Sequence, residues 1–247
     1  SCESACTRGD VDEPIAIDEI KKFIADQDLN EKSRFIPKKR HDYQKMVAVI
    51  GSGPAGMSCA YYLALDGYRV TVFEKLEKPG GMLTMGIPAF RLEKDVVEAE
   101  IEVLRQLGVQ FRTGVEVGRD VTIQELREQG FKAFYLAIGA QGGRKLNIPG
   151  EDAQGVTAGV EFLRGINLGS VPPMEGKTVV IGGGNVAIDV ARAAVRTDSS
   201  QVDMYCLEGR EEMPALPEEI HEAEQEHIAI HNGYGPREIL VKDGRAA

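Results

Sequence analysis

Short, unbroken apolar runs alternate along this chain with longer stretches whose apolar residues recur every three to four positions. The runs at 47–50 and 133–138 read as buried parallel strands. A helix is expected over 54–65, stopped by Gly67, with a strand over 69–74 after it. Val97, Ile101, Leu104 and Leu107 fall on one face of a helix spanning 94–107, and Thr122-Ile123-Gln124-Glu125 has the capping-box pattern that opens a short helix. Pro149-Gly150 marks a boundary, after which a helix over 160–166 leads to Pro172-Pro173. The alternation then resumes: a strand from Lys177, a helix, a strand over 202–208, a charged helix over 217–226 and a strand over 228–231. Such strand–helix–strand repetition predicts an α/β fold with parallel sheets.

The first 45 residues break the pattern. Ile17, Ile20, Phe23 and Ile24 make an apolar stripe on a helix over 15–27, and the charged stretch 30–44, carrying Pro37, reads as a linker. Composition narrows the classes. The 247 residues are 43% hydrophobic with a net charge of -10, which disfavours a nucleic-acid surface. Lys38-Lys39-Arg40 is then a solvated connector. No run approaches the roughly 20 apolar residues that span a bilayer, so no membrane partner is expected. No secretory signal is visible and four cysteines suggest no disulfide framework, so a cytoplasmic setting is expected.

The candidate chemistry lies in two loops. The first reads Gly51-Ser52-Gly53-Pro54-Ala55-Gly56, with Glu74 closing the next strand; the second reads Gly182-Gly183-Gly184-Asn185-Val186-Ala187, with Glu208 closing its next strand. Each is a dinucleotide-binding fingerprint between a strand and a helix. The first glycine makes the turn, the second admits a pyrophosphate, and the third (Gly56, or Ala187 in its place) packs helix on strand. The helix N-terminus then faces the phosphates, and the acid receives ribose hydroxyls. Two such sites on one chain predict hydride transfer between two nucleotides. FAD suits the first better than NAD, because Lys78-Pro79-Gly80-Gly81-Met82-Leu83 follows Glu74 and a strand ending Ala137-Ile138-Gly139-Ala140 returns toward the glycine turn. Paired-cysteine chemistry is disfavoured: no Cys-x-x-Cys occurs, and Cys59 and Cys206 read as small core residues.

Three separated strings sharpen this reading. Gly80-Gly81-Met82-Leu83-Thr84-Met85-Gly86-Ile87-Pro88-Ala89-Phe90-Arg91-Leu92, Cys2-Glu3-Ser4-Ala5-Cys6-Thr7-Arg8-Gly9 and Arg210-Glu211-Glu212-Met213-Pro214-Ala215 resemble the glutamate synthase small-subunit family. That family includes the N-terminal half of dihydropyrimidine dehydrogenase and the large subunit of bifurcating NADH-dependent ferredoxin:NADP oxidoreductase. The resemblance implies two Rossmann-like domains of the glutathione-reductase type, FAD at 46–146 and a nicotinamide nucleotide at 147–247, both incomplete in this chain. Residues 1–45 would be the remnant of a helical iron–sulfur domain plus a linker. It adds Lys75, Arg91 and Val117 to the flavin-side residues and makes Cys2 and Cys6 ligands of a [4Fe-4S] cluster whose other ligands precede Ser1. A Gly-Asp motif near the flavin's ribityl chain would follow Ala247, so the chain is expected to be a middle fragment. Family members commonly carry an aromatic residue where Met85 stands.

Members that use NADP usually have paired arginines where this chain has Leu207-Glu208. A carboxylate bonds the ribose 2'-hydroxyl of NAD and repels a 2'-phosphate, which favours NAD(H) over NADP(H); Arg210 is the residue that would accommodate the phosphate. His221, His227 and His231 read as surface histidines. The expected function is an NADH-dependent flavoprotein oxidoreductase module that passes electrons to iron–sulfur clusters, an acceptor subunit or a ferredoxin-like protein. An NADPH-dependent glutamate synthase small subunit, and a nucleotide-binding interaction subunit without turnover, are the alternatives. Hydride transfer needs positioning more than acid–base work, so no catalytic residue is expected.

Overall fold

Two parallel sheets, each flanked by helices, organise the chain, as a computed structural model describes it over residues 2–31, 34–171, 174 and 176–247. In the first sheet, β1 (Met46–Ile50) pairs with β2 (Arg69–Phe73) on one side and β4 (Phe131–Leu136) on the other, while β3 (Gln110–Arg112) lies outside β2. Each neighbouring pair runs parallel, so each connection is a crossover, here helical. Helices α2 (Pro54–Asp66) and α4 (Lys94–Gln106) cover one face, where Val49, Val70, Val72, Leu104 and Leu107 form a buried cluster with Ala60 and Ala64. On the other face α5 (Ile123–Glu128) contributes Leu126 to a cluster with Ala48, Phe73 and Phe131. The Thr122 capping box is formed, its side chain accepting from the Glu125 amide while the Glu125 carboxylate accepts from the Thr122 amide. Gly67 ends α2 in the left-handed conformation, φ 110°.

The strand expected over 133–138, which forms as β4, departs from expectation in its bounds and burial. It starts two residues early, at Phe131, and most of its side chains are exposed; Leu136 and Ile138 are each 69% exposed. The strand order explains this: β4 is an edge strand with one neighbour, so its apolar run is covered far less than that of central β1.

The second sheet, in the order β5-β6-β7, comprises β5 (Lys177–Ile181), β6 (Gln201–Cys206) and β7 (Ala229–Asn232). The α6 (Gly159–Asn167), α7 (Asn185–Val195) and α8 (Pro217–Gln225) helices pack over it around Leu163, Val180, Ile188, Met204 and Ile220. Glu208 falls two residues beyond β6, in the loop that follows the strand. A hairpin of β8 (Val241–Lys242) and β9 (Arg245–Ala246) turns at Asp243 and Gly244, both at positive φ. The Pro172-Pro173 break lies outside the described residues.

The N-terminal helix forms as α1 (Ile17–Asn30), but its apolar stripe faces outward, with Phe23 64% and Ile24 61% exposed. The linker is less free than its charge suggests: Arg34 bridges Asp28 and Glu100, and the Arg40 and Tyr43 amides donate to the carbonyls of Leu65 and Gly67. Lys38, Lys39 and Arg40 are exposed. No helix among the described residues is long and apolar enough to cross a membrane.

Candidate functional site

The first glycine loop sits at the carboxyl end of β1, where an open parallel sheet gathers its ligands. Gly51 turns the chain at φ 103°, and a Cβ there would stand 2.2 Å from the Ala137 carbonyl oxygen. Gly56 is equally constrained: its Cβ would lie 1.9 Å from the Gly51 oxygen, so α2 rests on the turn itself. Gly53 is the opposite case, with no atom within 4 Å of its Cβ position. This open position, beside the first turn of α2 with Pro54 and Ala55, has the shape a pyrophosphate requires. The short helix α3 (Met82–Met85), carrying Met82 and Leu83, starts at Gly81, whose Cβ would come within 2.7 Å of the Gly53 Cα.

Glu74 reaches this turn from the end of β2. Its buried carboxylate accepts from the Ser52 amide at 3.0 Å, the Ser52 hydroxyl at 2.6 Å and the Leu76 amide at 3.0 Å. The Ser52 hydroxyl in turn accepts from the Gly80 amide at 3.1 Å. Ser52 therefore ties the acid to the Gly80-Gly81 loop, a role that its place as filler in a G-x-G turn did not reveal. The Ala137 amide donates to the Ile50 carbonyl, which brings Ala137, Ile138 and Gly139 to the same sheet end. Lys75 is exposed next to Glu74. Val117 bridges to Val121 and packs against the cluster around Phe131, two residues after Val115, whose amide donates to the Glu74 carbonyl.

The second loop repeats the geometry. Gly182 turns at φ 139°, its Cβ position 3.3 Å from the Ala187 methyl group, and Gly184 has nothing within 4 Å. Asn185 and Val186 begin α7 there, and the Asn185 side-chain oxygen accepts from the Leu216 amide. The half-buried Glu208 lies over the loop, with Oε2 3.0 Å from the Cβ position of Gly183. Its backbone is held, the carbonyl accepting from the Gly233 amide and the Asn232 side chain. Among the described residues its carboxylate receives no hydrogen bond. Arg210 is turned to Glu224, at 2.9 Å.

Arg91 lies between the two sheets' units. Its Nε is 2.7 Å from Asp189 of α7, and its Nη2 contacts Glu219 of α8. Burial pushes the Asp189 carboxyl up against the opposing pull of Arg91 and Arg192. At the N-terminus, the Ile15 and Arg8 amides hold the Cys6 thiol below its ordinary range. Cys2 and Cys6 supply two thiols, half of the four ligands that a [4Fe-4S] cluster takes. All four cysteines are free; Cys206 is buried in β6 and Cys59 is partly buried on α2, burial raising both thiols. The histidines diverge. His221 bonds Gln225, while His231 stacks on Tyr205 at 4.4 Å and faces Asp203.

The sequence signature of the pyridine nucleotide-disulphide oxidoreductases matches residues 45–234, which include both glycine loops and both acids. The chain belongs to this family. It is 40% identical over 98% of its length to the NADP(+)-dependent formate dehydrogenase subunit beta of Moorella thermoacetica, covering 38% of that protein. It is 34% identical over 97% of its length to the glutamate synthase [NADPH] small chain of Escherichia coli, covering 53%. The chain thus spans between about a third and about a half of the curated relatives it matches, and the glutamate synthase resemblance read from its motifs is supported by relatives of that name. Among solved structures, FprA of Mycobacterium tuberculosis in complex with NADPH superposes with a TM-score of 0.68 at 23% identity, over 81% of this chain and 62% of that one. Thioredoxin reductase of Lactococcus lactis gives 0.61 at 24%, over 82% and 69%. These likenesses establish the fold: α/β, with two parallel sheets flanked by helices.

Proposed function

We propose that this chain carries the flavin and nicotinamide sites of an NADH-dependent flavoprotein oxidoreductase, with FAD on residues 46–146 and NAD(H) on residues 147–247. When bound, FAD supplies the two-electron acceptor that takes hydride from the nicotinamide. The protein's part is to hold and orient. Gly53, Pro54, Ala55 and the start of α2 receive one pyrophosphate, and Glu74, fixed by Ser52, receives the adenosine ribose. Gly184, Asn185 and Val186 receive the other pyrophosphate. Relatives named as beta subunits and small chains support onward electron transfer to a partner subunit, and the resemblance of the Cys2–Gly9 string supports iron–sulfur clusters as carriers. Cys2 and Cys6 are the residues that such a cluster would draw on.

The choice of NADH rests on one observation: the Glu208 carboxylate lies over the second turn with no hydrogen bond among the described residues. It is therefore free to accept from a ribose 2'-hydroxyl, and its charge repels a 2'-phosphate. Arg210, the nearby cation, is already paired with Glu224. NADPH is the competing reading, favoured by the nucleotide named in several relatives. The test is the bleaching of flavin absorbance near 450 nm in the full-length protein. NADH is expected to give a kcat/KM at least about tenfold above NADPH, about 1.4 kcal/mol of discrimination, and Glu208→Arg to reverse the order. Equal values for the two nucleotides would refute the assignment.

A further inference from the structure

The flavin-side motif is divided between the two units. Its first half, Gly80 to Met85, packs on the first glycine loop. Its second half, Gly86 to Arg91, crosses to the other unit and is gripped there. Asn167, the last residue of α6, donates its side-chain amide to the carbonyls of Met85 at 2.8 Å and Ile87 at 3.2 Å. Lys94 donates to the Leu83 carbonyl at 2.9 Å and to that of Ile87, so the strap is tied from its own unit as well. Phe90 lies beneath the guanidinium groups of Arg192 and Arg196, 4.8 and 4.1 Å from the ring centre. Arg91 then meets Asp189 and Glu219. The contacting atoms of these three side chains are shielded from water, and among the described residues they make ionic contacts with one another and no hydrogen bond. An ionic contact withdrawn from water in this way is costly to break, because loss of one partner leaves the other charges buried and unpaired.

The connection reaches both candidate turns. Gly81 touches Gly53 at one end, and Asp189 at the other lies one helical turn into α7, the helix that starts at Gly184. We propose that segment 86–91, locked by Arg91 on Asp189 and Glu219, is the positioning element that fixes the two nucleotide turns relative to one another for hydride transfer. This rests on the two-nucleotide reading above. It makes Arg91 a bridge between sites and not a flavin contact. Hydride transfer is steep in geometry, and a displacement of about 1 Å by a remote change costs up to roughly 10²-fold in rate.

The experiment uses the full-length protein reconstituted with FAD, comparing Arg91→Gln and Asn167→Leu with wild type by stopped-flow flavin bleaching at saturating NADH. Arg91→Gln is expected to lower the limiting reduction rate about tenfold or more. The flavin content per chain should hold, and the Kd for NAD+ should change less than about threefold. Arg91→Lys should recover only part of the rate, since a single ammonium nitrogen lacks the planar fork whose separate Nε and Nη2 meet Asp189 and Glu219. A limiting rate within about twofold of wild type, with only Tm lowered, would reduce the strap to a stabilising contact and overturn the proposal. Loss of FAD from Arg91→Gln at unchanged Tm would overturn it in favour of a direct flavin contact. Asn167→Leu breaks a different tie and should show the same pattern, so the proposal stays testable if Arg91→Gln does not fold. If neither nucleotide bleaches the wild-type flavin, the functional reading fails and hydrogen exchange judges the strap separately. Arg91→Gln must then speed exchange in both 82–92 and 185–195, and a change confined to one segment overturns it.

Discussion

Ser52→Ala isolates the contribution of a residue that looks like filler. Its hydroxyl is fully buried, donates to the Glu74 carboxylate at 2.6 Å and accepts from the Gly80 amide at 3.1 Å. The substitution removes a hydrogen bond to a charged acceptor, about 1.5–3 kcal/mol. The Gly80 amide keeps a second acceptor, the Ser52 carbonyl at 3.2 Å, and the Glu74 carboxylate keeps the Ser52 and Leu76 amides. The buried-polar penalty is therefore partial, and a net loss of about 2 kcal/mol is expected. In a chain of this size that corresponds to roughly 4–8 °C in Tm. Urea denaturation and thermal melts of the apo protein measure the loss directly. The consequence for the site is separate: without the hydroxyl that joins Glu74 to Gly80, the Gly80-Gly81 loop keeps its backbone bond to the Ser52 carbonyl but loses its link to the acid, and FAD affinity should fall about tenfold or more. A Tm within 1 °C of wild type, with FAD affinity unchanged, would refute the reasoning.

Gly56→Ala would place a methyl group 1.9 Å from the Gly51 oxygen, a backbone atom. It should shift α2 off the turn and abolish FAD retention on gel filtration, whereas the same change at Gly53, where space is open, should leave the apo fold intact. The Asp203 carboxyl is held below the usual carboxylate range, first by Lys177 and also by His231. Its stabilising effect is therefore present above about pH 4 and lost as pH falls through its folded value. Asp203→Asn should lower Tm by about 3 °C at pH 7, with the gap to wild type narrowing in melts toward pH 3. A gap that widened on acidification would contradict this direction.

The parallel strands and their helices were legible because their signals are local. Continuous apolar runs, glycine stops and the Thr122 capping box each carry their own physics, and the boundaries fall within a few residues of expectation. The missed elements are those with no room for periodicity: β3 with three residues, α3 with four and the β8–β9 hairpin. Asp243-Gly244 was the available sign of that hairpin. Burial of β4 was misjudged because an apolar run does not say how many neighbours a strand will have. Arg91 was associated with the flavin by motif alone, and only the fold shows its charge meeting Asp189 and Glu219, about 100 or more positions away. Side-chain partners of that separation leave no local trace.

The two acids, alike as sequence signals, are built differently, and the difference bears on what each site does. Glu74 is buried, with three protein donors already on its carboxylate, so its orientation is set before any ligand arrives. Glu208 is half-buried and anchored through its backbone, and its carboxylate is left for a ligand to engage. A preorganised carboxylate lowers the ordering cost of binding and suits a cofactor that stays. A carboxylate without partners suits a nucleotide that must enter and leave in each cycle, and it makes the ribose contact decisive for selection because nothing else competes for that charge. The same asymmetry predicts opposite results for the two isosteric variants. Glu74→Gln should weaken both FAD retention and the apo fold, since an amide nitrogen would then face the Ser52 and Leu76 donors. Glu208→Gln should leave the apo Tm within about 1 °C of wild type and erode only the preference for NADH. If Glu208→Gln destabilised the apo protein as much as Glu74→Gln, the division between a fixed and an exchanging nucleotide would have no basis in these two carboxylates.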